Sequence, residues 1–180
     1  MSEKHPIPKN LHRWELQHFA DVKGVDVDTI ETRGKPARGY LIVGPPGTGK
    51  TCLAAAIVKN WVSRGGDYRF VRWTLASELV FDLVFGGFDH RREALEAACR
   101  CSMLVLDDFG SNRVSDNGDA LMQMVIDRRF QAGLTTIVTM NVSKAELVKR
   151  DSRLASRMEE FEAIVMDGPS LRGVVTGEGT

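Results

Sequence analysis

The sequence predicts an α/β protein in which a parallel β-sheet is covered on both faces by helices. Three observations predict this fold. Short apolar or β-branched runs alternate along the chain with longer segments of helical character. The first of these runs, at residues 40–43, is apolar throughout, as expected for a buried strand. A glycine-rich loop separates this run from the helical segment that follows it.

Five strands are predicted, each of a length typical of buried sheets. They lie at residues 40–43, 68–73, 103–106, 135–140 and 163–166. The last strand but one is rich in β-branched residues, and the third ends in two carboxylates. Because helical segments separate the strands, we expect them to pair in parallel.

The predicted helices are bounded by recognisable start and stop signals. They cover residues 50–63, 75–85, 91–99 and 120–132, and another opens with the capping box Ser143-Lys-Ala-Glu146. Before residue 39 the pattern is weaker: apolar residues suggest one short helix over residues 11–22, ending near Gly24, followed by a loop at 35–39. We therefore divide the chain into an N-terminal extension, 1–38, and a core, 39–180.

The charge, the apolar segments and the cysteines limit the classes of function that the chain can have. The 24 basic and 24 acidic residues give zero net charge, so bulk charge does not attract nucleic acid, although a local patch still can. The polar N-terminus does not resemble a signal peptide, and no window is apolar enough to span a membrane. The three cysteines, Cys52, Cys99 and Cys101, form no metal-ligand pattern and indicate free thiols. These features predict a cytoplasmic protein without a membrane partner.

A complete phosphate-binding motif follows the first strand. Residues 44–51, Gly-Pro-Pro-Gly-Thr-Gly-Lys-Thr, match G-x-x-x-x-G-K-[ST]. The glycines allow backbone N–H groups to surround phosphate oxygens, and the following helix directs its positive end at the anion. Lys50 is expected to reach the β- and γ-phosphates, and the Thr51 hydroxyl to ligate Mg²⁺. ATP and Mg²⁺ are therefore the predicted ligands. The predicted binding residues are Gly44, Pro45, Pro46, Gly47, Thr48, Gly49, Lys50, Thr51 and Cys52.

The third strand ends in Asp107 and Asp108, where a parallel sheet can bring carboxylates beside the phosphate loop. We expect Asp107 to hold Mg²⁺ and Asp108 to orient or deprotonate the attacking water. The ordinary interpretation is a solvated loop after a core strand.

Other polar residues could contact the γ-phosphate. Asn141 follows the fourth strand, although an asparagine there can equally cap a turn. Arg153 and Arg157 are four residues apart, on one face of any helix there, and Arg172 follows. By themselves these arginines are most simply solvent-exposed; the alternative is an arginine finger that stabilises the transferring phosphoryl group.

Taken together, these motifs resemble the DnaC-like helicase-loader family of AAA+ ATPases and the related IstB transposition helpers. The matching segments run in the same order: 44–51, 104–110, 126–130 (Ile-Asp-Arg-Arg-Phe), 136–141, 152–158 and 167–172. The resemblance implies a P-loop NTPase of AAA+ type, a three-layer α-β-α sandwich with a parallel five-stranded sheet. It also implies that Asn141 is the sensor-1 residue, that Arg157 is a finger reaching a neighbouring subunit's ATP, and that Arg172 is the sensor-2 arginine.

The resemblance further implies partners. A DnaB-like replicative helicase in bacterial or phage replication is the expected protein partner, with self-association into an AAA+ oligomer. Single-stranded DNA is a further candidate, through a helical segment that holds Arg91 and Arg92; a solvated helix face is the alternative. We expect no full lid domain after Met166 and no separate partner-binding domain before Gly44. Many relatives carry Glu where this chain has Asp108.

Three alternatives remain open at this point. A transposition helper shares the ATPase core: Asp107-Asp-Phe-Gly110 favours that branch, whereas Asp127-Arg-Arg-Phe130 favours loaders. A small-molecule kinase shares the phosphate loop, but it also needs a pocket for the molecule that accepts the phosphoryl group. The sequence has no inserted segment that would form such a pocket. A non-hydrolysing ATP-binding scaffold is the third, and Asp108 is the only indication of it.

Overall fold

The computed structural model describes residues 5–33, 39–110, 116–141 and 152–170. Five strands form its sheet: β1 (Gly39–Val43), β2 (Val71–Leu75), β3 (Met103–Phe109), β4 (Thr135–Met140) and β5 (Glu162–Val165). Their spatial order is β2-β3-β4-β1-β5, and every neighbouring pair is parallel. The predicted α/β class with a parallel five-stranded sheet is confirmed.

Six α-helices cover the sheet in the described part of the chain. They are α1 (Val27–Arg33), α2 (Lys50–Ser63), α3 (Ala76–Phe85), α4 (Phe88–Arg100), α5 (Asp116–Gln131) and α6 (Ser152–Met158). Alternate strand residues face opposite layers because the side-chain period of a strand is two. Tyr40 and Ile42 of β1 therefore belong to the apolar cluster on the side of α2, whereas Leu41 belongs to the cluster on the side of α3 to α6. The result is a helix–sheet–helix sandwich.

Two sequence predictions match the structure residue for residue: the helix Lys50–Ser63 and the strand Thr135–Met140. The predicted strand at 68–73 is wrong in its first half, because Tyr68–Phe70 forms a 3-10 helix before β2 begins. The Asp67 side chain caps this turn by accepting a hydrogen bond from the Arg69 backbone N–H at 2.8 Å. A local cap of this kind offers the backbone an alternative to the sheet. The helix expected after Ser143 lies outside the described residues.

The single helix expected over residues 11–22 is also wrong. Two short 3-10 helices, Lys9–Leu11 and Leu16–Phe19, are present instead, separated by the extended backbone of Glu15. Their apolar side chains still reach the core, so burial rather than helical periodicity explains the apolar pattern. The buried residues of this N-terminal part include Ile7, Leu11, Leu16, Phe19 and Ile30.

Lys59 on α2 holds this N-terminal segment against the core. Its Nζ donates hydrogen bonds to the carbonyl oxygens of His12, at 2.7 Å, and Trp14, at 3.2 Å, and pairs with the Glu15 carboxylate. Residues 5–33 thus pack on the same layer as the helix that follows the phosphate loop. Within the described residues, no helix is both long and apolar enough to cross a membrane.

Candidate functional site

The glycine-rich loop joins the carboxyl end of β1 to the first turn of α2. Gly47 and Gly49 have φ angles of 88° and 91°, in the left-handed region that favours glycine. At Gly44 a Cβ would lie 2.3 Å from the Met166 carbonyl oxygen, so only glycine fits against the neighbouring chain. The sequence therefore produces a tight loop whose backbone amides precede a helix N-terminus.

Lys50 and Thr48 both contact the loop itself. The buried Lys50 ammonium donates to the Pro45 carbonyl at 2.7 Å, and the Thr48 hydroxyl donates to the same oxygen at 3.0 Å. The Lys50 ammonium is therefore folded back across the loop. A phosphate bound there can replace the carbonyl as its acceptor.

Thr51 and Asp107 come together across the start of α2 and the end of β3. Thr51 Oγ1 donates to Asp107 Oδ1 at 2.9 Å, and the buried Asp107 carboxylate accepts a second bond at 2.6 Å from Thr139 Oγ1 on β4. Thr139 is a site residue that the sequence motifs did not predict. Its one available signal was its position two residues before Asn141, a spacing that gives two residues the same orientation along an extended chain.

Asp108 has an unusual backbone. Its φ is 56°, and the β3–β4 register is interrupted between Leu106 and Phe109. Aspartate is among the few residue types that enter the left-handed region without severe strain. Its backbone N–H donates to Thr139 Oγ1 at 2.9 Å, and its Oδ1 accepts from Asn141 Nδ2 at 2.8 Å. The exposed Asp108 carboxylate is thereby fixed beside Asp107.

These groups line one cavity of about 550 Å³ at the carboxyl ends of the strands, where open parallel sheets bind ligands. Its walls include the predicted residues Pro46, Gly47, Gly49, Lys50, Thr51, Cys52, Asp107, Asp108 and Asn141. The N-terminal segment supplies a further wall that the sequence motifs did not predict, through Asn10, Leu11, Arg13 and Trp14. Burial raises the pKa of the Cys52 thiol, which opposes ionisation of this lining residue.

The donor set at Thr51 and Asp107 fits a magnesium ion. Mg²⁺ commonly takes one or two protein oxygens and completes its octahedron with water and substrate phosphates. A hydroxyl and a carboxylate 2.9 Å apart beside a phosphate loop provide these protein oxygens. Within the described residues, no group of three or more His, Cys, Asp or Glu side chains forms a metal site of its own.

The predicted arginines lie elsewhere. Arg157 is on α6 and is not part of the cavity wall; its Nε donates to Asp127 Oδ1 on α5 at 2.6 Å. Arg172 and the side chain of Arg153 lie outside the described residues. The structure thus brings the loop, the two aspartates and Asn141 together, and leaves Arg157 on a separate surface.

The sequence profile described as "IstB-like ATP binding protein" matches residues 16–160. The chain belongs to this family. An ATP-binding protein of an insertion sequence in Mycobacterium tuberculosis is 30% identical over 141 residues, which cover 73% of this chain and 55% of that protein. The replicative helicase loader DnaC of Escherichia coli is 25% identical over 142 residues, covering 77% of this chain and 58% of the loader. This IstB-like chain therefore spans a little over half the length of these curated relatives.

Solved structures agree with this assignment. A crystal structure of the DnaC helicase loader has a TM-score of 0.73 and 28% identity to this IstB-like chain, covering 89% of it and 100% of the loader chain. A DnaA replication initiator bound to AMPPCP and single-stranded DNA has the same TM-score at 18% identity, a likeness of fold alone, and covers 91% of this chain and 51% of the initiator. The fold is that of an AAA+ P-loop domain, as the sequence predicted.

Proposed function

We propose that this chain hydrolyses ATP with Mg²⁺ and uses the cycle to control a protein partner in DNA metabolism. The observation that carries the proposal is the pairing of Thr51 with Asp107 at 2.9 Å, directly beside the Asp108–Asn141 pair at 2.8 Å. The first pair suits a nucleotide-borne metal ion, and the second suits a water molecule next to the γ-phosphate. Both pairs border the cavity that the phosphate loop opens into.

Each residue has a distinct role in the proposed mechanism. Lys50 leaves the Pro45 carbonyl and neutralises charge on the β- and γ-phosphates, while the loop N–H groups bind phosphate oxygens. Thr51 and Asp107 hold Mg²⁺, which supplies charge neutralisation at the phosphates when bound. Asp108, oriented by Asn141, positions the attacking water or takes its proton. Arg157 of a second copy stabilises the charge that develops on the transferring phosphoryl group, and Arg172 contacts the nucleotide of its own copy.

Two matched variants test hydrolysis. Lys50→Ala should lose ATP binding or turnover with the fold intact, because the phosphate cation is gone. Asp108→Asn should keep ATP binding and lose turnover, because the phosphate loop remains while the water-positioning carboxylate does not. Phosphate release and nucleotide affinity, measured together, separate these effects. Undiminished turnover in a folded Lys50→Ala protein would contradict the site assignment, and ATP binding without any phosphate release by the native chain would favour a scaffold.

Self-association is tested by mixing two inactive variants. Arg157→Ala keeps a sound ATP site but lacks a finger, whereas Lys50→Ala keeps the finger but lacks the site. Together they should recover activity at the interface where a Lys50→Ala copy presents Arg157 to a sound site, since fingers are worth about 10³–10⁵ in rate. If the two variants co-assemble and stay inactive, Arg157 does not act between copies.

A helicase loader is the partner function we favour, because the chain matches DnaC over 77% of its length and covers the whole of a solved DnaC loader chain. A transposition helper is the second candidate, supported by the family profile and by the insertion-sequence relative. Capture of partners from the source cell in ATP, with Lys50→Ala as the matched control, distinguishes them. Capture of a replicative helicase that depends on ATP supports the first function, and capture of a transposase supports the second. In a separate assay, phosphoryl transfer to a nucleoside would instead indicate a kinase.

A further inference from the structure

The surroundings of Arg157 form a small, ordered structure outside the ATP cavity. Helix α6 packs into the core through Ala155 and Met158, which are buried and three residues apart. Arg157 lies between them in sequence and has a side chain that is 44% exposed. The backbone that carries this arginine is therefore fixed, while its guanidinium remains accessible to solvent.

Two residues of α5 hold the guanidinium in a defined orientation. Arg157 Nε donates to Asp127 Oδ1 at 2.6 Å, and the guanidinium carbon lies 5.6 Å from the centre of the Phe130 ring. Asp127 and Phe130 are three residues apart, so they occupy the same face of their helix. A carboxylate at Nε and an aromatic ring below the guanidinium carbon restrict the direction in which the group points.

Asp127 contacts only one part of the guanidinium. Among the described residues, Arg157 bonds through Nε alone, so neither Nη group is engaged there. The paired Nη groups form one side of the fork with which arginine binds phosphate in a bidentate manner. With respect to the described residues, contact through Nε thus orients the side chain and leaves the Nη edge available for an anion.

We propose that Asp127 and Phe130 are positioning residues, which present the Nη edge of Arg157 to the γ-phosphate of ATP bound by a second copy of the chain. This inference rests on the proposed function, in which Arg157 acts between copies. It assigns the exposed face around α5 and α6 as the surface through which one copy meets the nucleotide site of the next. A preoriented arginine loses less conformational freedom when the two copies meet.

The test places one substitution on either side of a mixed interface. In the mixture described above, the Lys50→Ala copy donates the finger and the Arg157→Ala copy supplies the ATP site. Asp127→Leu, which removes the acceptor of the Arg157 Nε–H, is added first to the donor and then, in a separate mixture, to the copy that supplies the ATP site. If Asp127 positions Arg157 of its own copy, only the donor substitution should matter. It should lower the recovered rate at least tenfold with unchanged KM for ATP, because misplaced catalytic groups lose rate rather than ground-state binding.

Two further donor variants complete the design. Phe130→Leu keeps an apolar side chain but removes the ring, and should give a smaller loss of the same kind. Glu160→Gln removes a carboxylate three residues from Arg157 that does not pair with it, and should leave the recovered rate unchanged.

The outcomes separate the two hypotheses. Failure of the parent mixture to recover, with co-assembly shown by sedimentation, overturns the proposed role of Arg157 between copies and this inference with it. Recovery that is insensitive to Asp127→Leu on the donor overturns the inference alone. Equal losses on donor and acceptor also overturn it, since they indicate a general effect on folding or assembly, and a higher rate with the donor variant would show that Asp127 restrains Arg157 rather than presenting it.

Discussion

At the scale of single residues, Thr139 connects the two aspartates that the sequence placed in the site. Its hydroxyl donates to Asp107 Oδ1 at 2.6 Å and accepts from the Asp108 N–H at 2.9 Å. One threonine therefore orients the carboxylate that would hold Mg²⁺ and also stabilises the left-handed backbone of Asp108, whose φ is 56°. Hydrogen bonds from residues that do not touch the ligand themselves fix the geometry of the groups that do.

Thr139→Val should retain the fold and the ATP affinity and lower turnover. Valine has nearly the same shape, but it leaves the Asp108 N–H without its acceptor and Asp107 without one donor, at a cost of ~1–3 kcal/mol in stability. We expect kcat for ATP hydrolysis to fall roughly 10- to 100-fold, the range found when such hydrogen bonds are removed. Thr139→Ser keeps the hydroxyl and is the matched control. Equal losses in the serine and valine variants would show that packing, not the hydrogen bonds, matters at this position.

At the scale of secondary-structure elements, a buried arginine ties α4 and α5 to β4. Arg129 is fully buried and donates to the carbonyl oxygens of Ala98 and Cys101, at 2.6 and 2.9 Å, and to that of Thr135 at 2.5 Å. The first two acceptors lie at the end of α4, where helix carbonyls lack partners within the helix. Burial lowers the pKa of Arg129, whereas Cys101 and Cys99 raise it. The Asp-Arg-Arg-Phe motif thus contains one structural arginine.

Arg129→Met should destabilise the protein by about 3 kcal/mol, because several buried carbonyl groups lose their donor at once. Urea unfolding of the nucleotide-free protein measures this change. Arg128→Met is the matched control, since Arg128 is the exposed neighbour in the same helix and its replacement should change the free energy of unfolding by less than about 0.5 kcal/mol. Similar effects for the two variants would contradict a stabilising role for the Arg129 hydrogen bonds at the end of α4.

The N-terminal segment provides a second test at this scale. Lys59 holds the carbonyl groups of His12 and Trp14, and Trp14 lines the cavity. Lys59→Met should therefore loosen this wall and weaken ATP binding by about tenfold, or ~1.4 kcal/mol, with little change in kcat. Binding and turnover measured in parallel check this, with Arg64→Met as the control at the exposed end of α2. A loss confined to kcat would show that the segment acts on chemistry instead.

The sequence predicted the elements whose signals are local. The phosphate loop, helix Lys50–Ser63 and strand Thr135–Met140 carry their own motif, stop signal or β-branched composition. The errors arose where distant or competing contacts determine the backbone conformation. At Tyr68–Phe70 the aspartate cap stabilises a 3-10 helix instead of a strand, and over residues 11–22 burial against the core replaces a regular helix. The wall formed by Arg13 and Trp14 could not be predicted, because it depends on a contact between α2 and a segment more than forty residues away.

At the scale of the whole molecule, charge and shape limit how the chain can contact DNA. The net charge is zero, so any contact must use a local patch. The α3–α4 surface carries exposed rings and two neighbouring arginines: Phe81, Phe85 and Phe88 are 60%, 62% and 83% exposed, and Arg91 and Arg92 follow on α4. Exposed aromatic rings beside arginines are the usual combination for stacking bases and binding the backbone of single strands.

Any binding of single-stranded DNA should therefore be modest and strongly dependent on salt, and two variants should affect it differently. Arg92→Ala should reduce the slope of log K against log salt concentration by about 0.7, the contribution of one phosphate contact on a single strand. Phe88→Leu should weaken binding at every salt concentration without changing the slope, because stacking releases no counterions. Titrations with a labelled oligonucleotide at several salt concentrations measure both, and Arg64→Ala is the control. No binding at low salt would favour a purely protein-directed role.

The separation of Arg157 from the ATP cavity also determines the symmetry of the proposed assembly. A two-fold dimer joins identical patches, whereas here one patch would meet a different patch on the next copy, so the contact is heterologous. When a heterologous contact is repeated from copy to copy, the assembly either closes into a ring or continues as an open helix with two unlike ends. In an open assembly the ATP site at one end has no neighbour to complete it, so activity per subunit should rise with the length of the assembly. In a closed ring every site is complete, and activity per subunit no longer depends on subunit number.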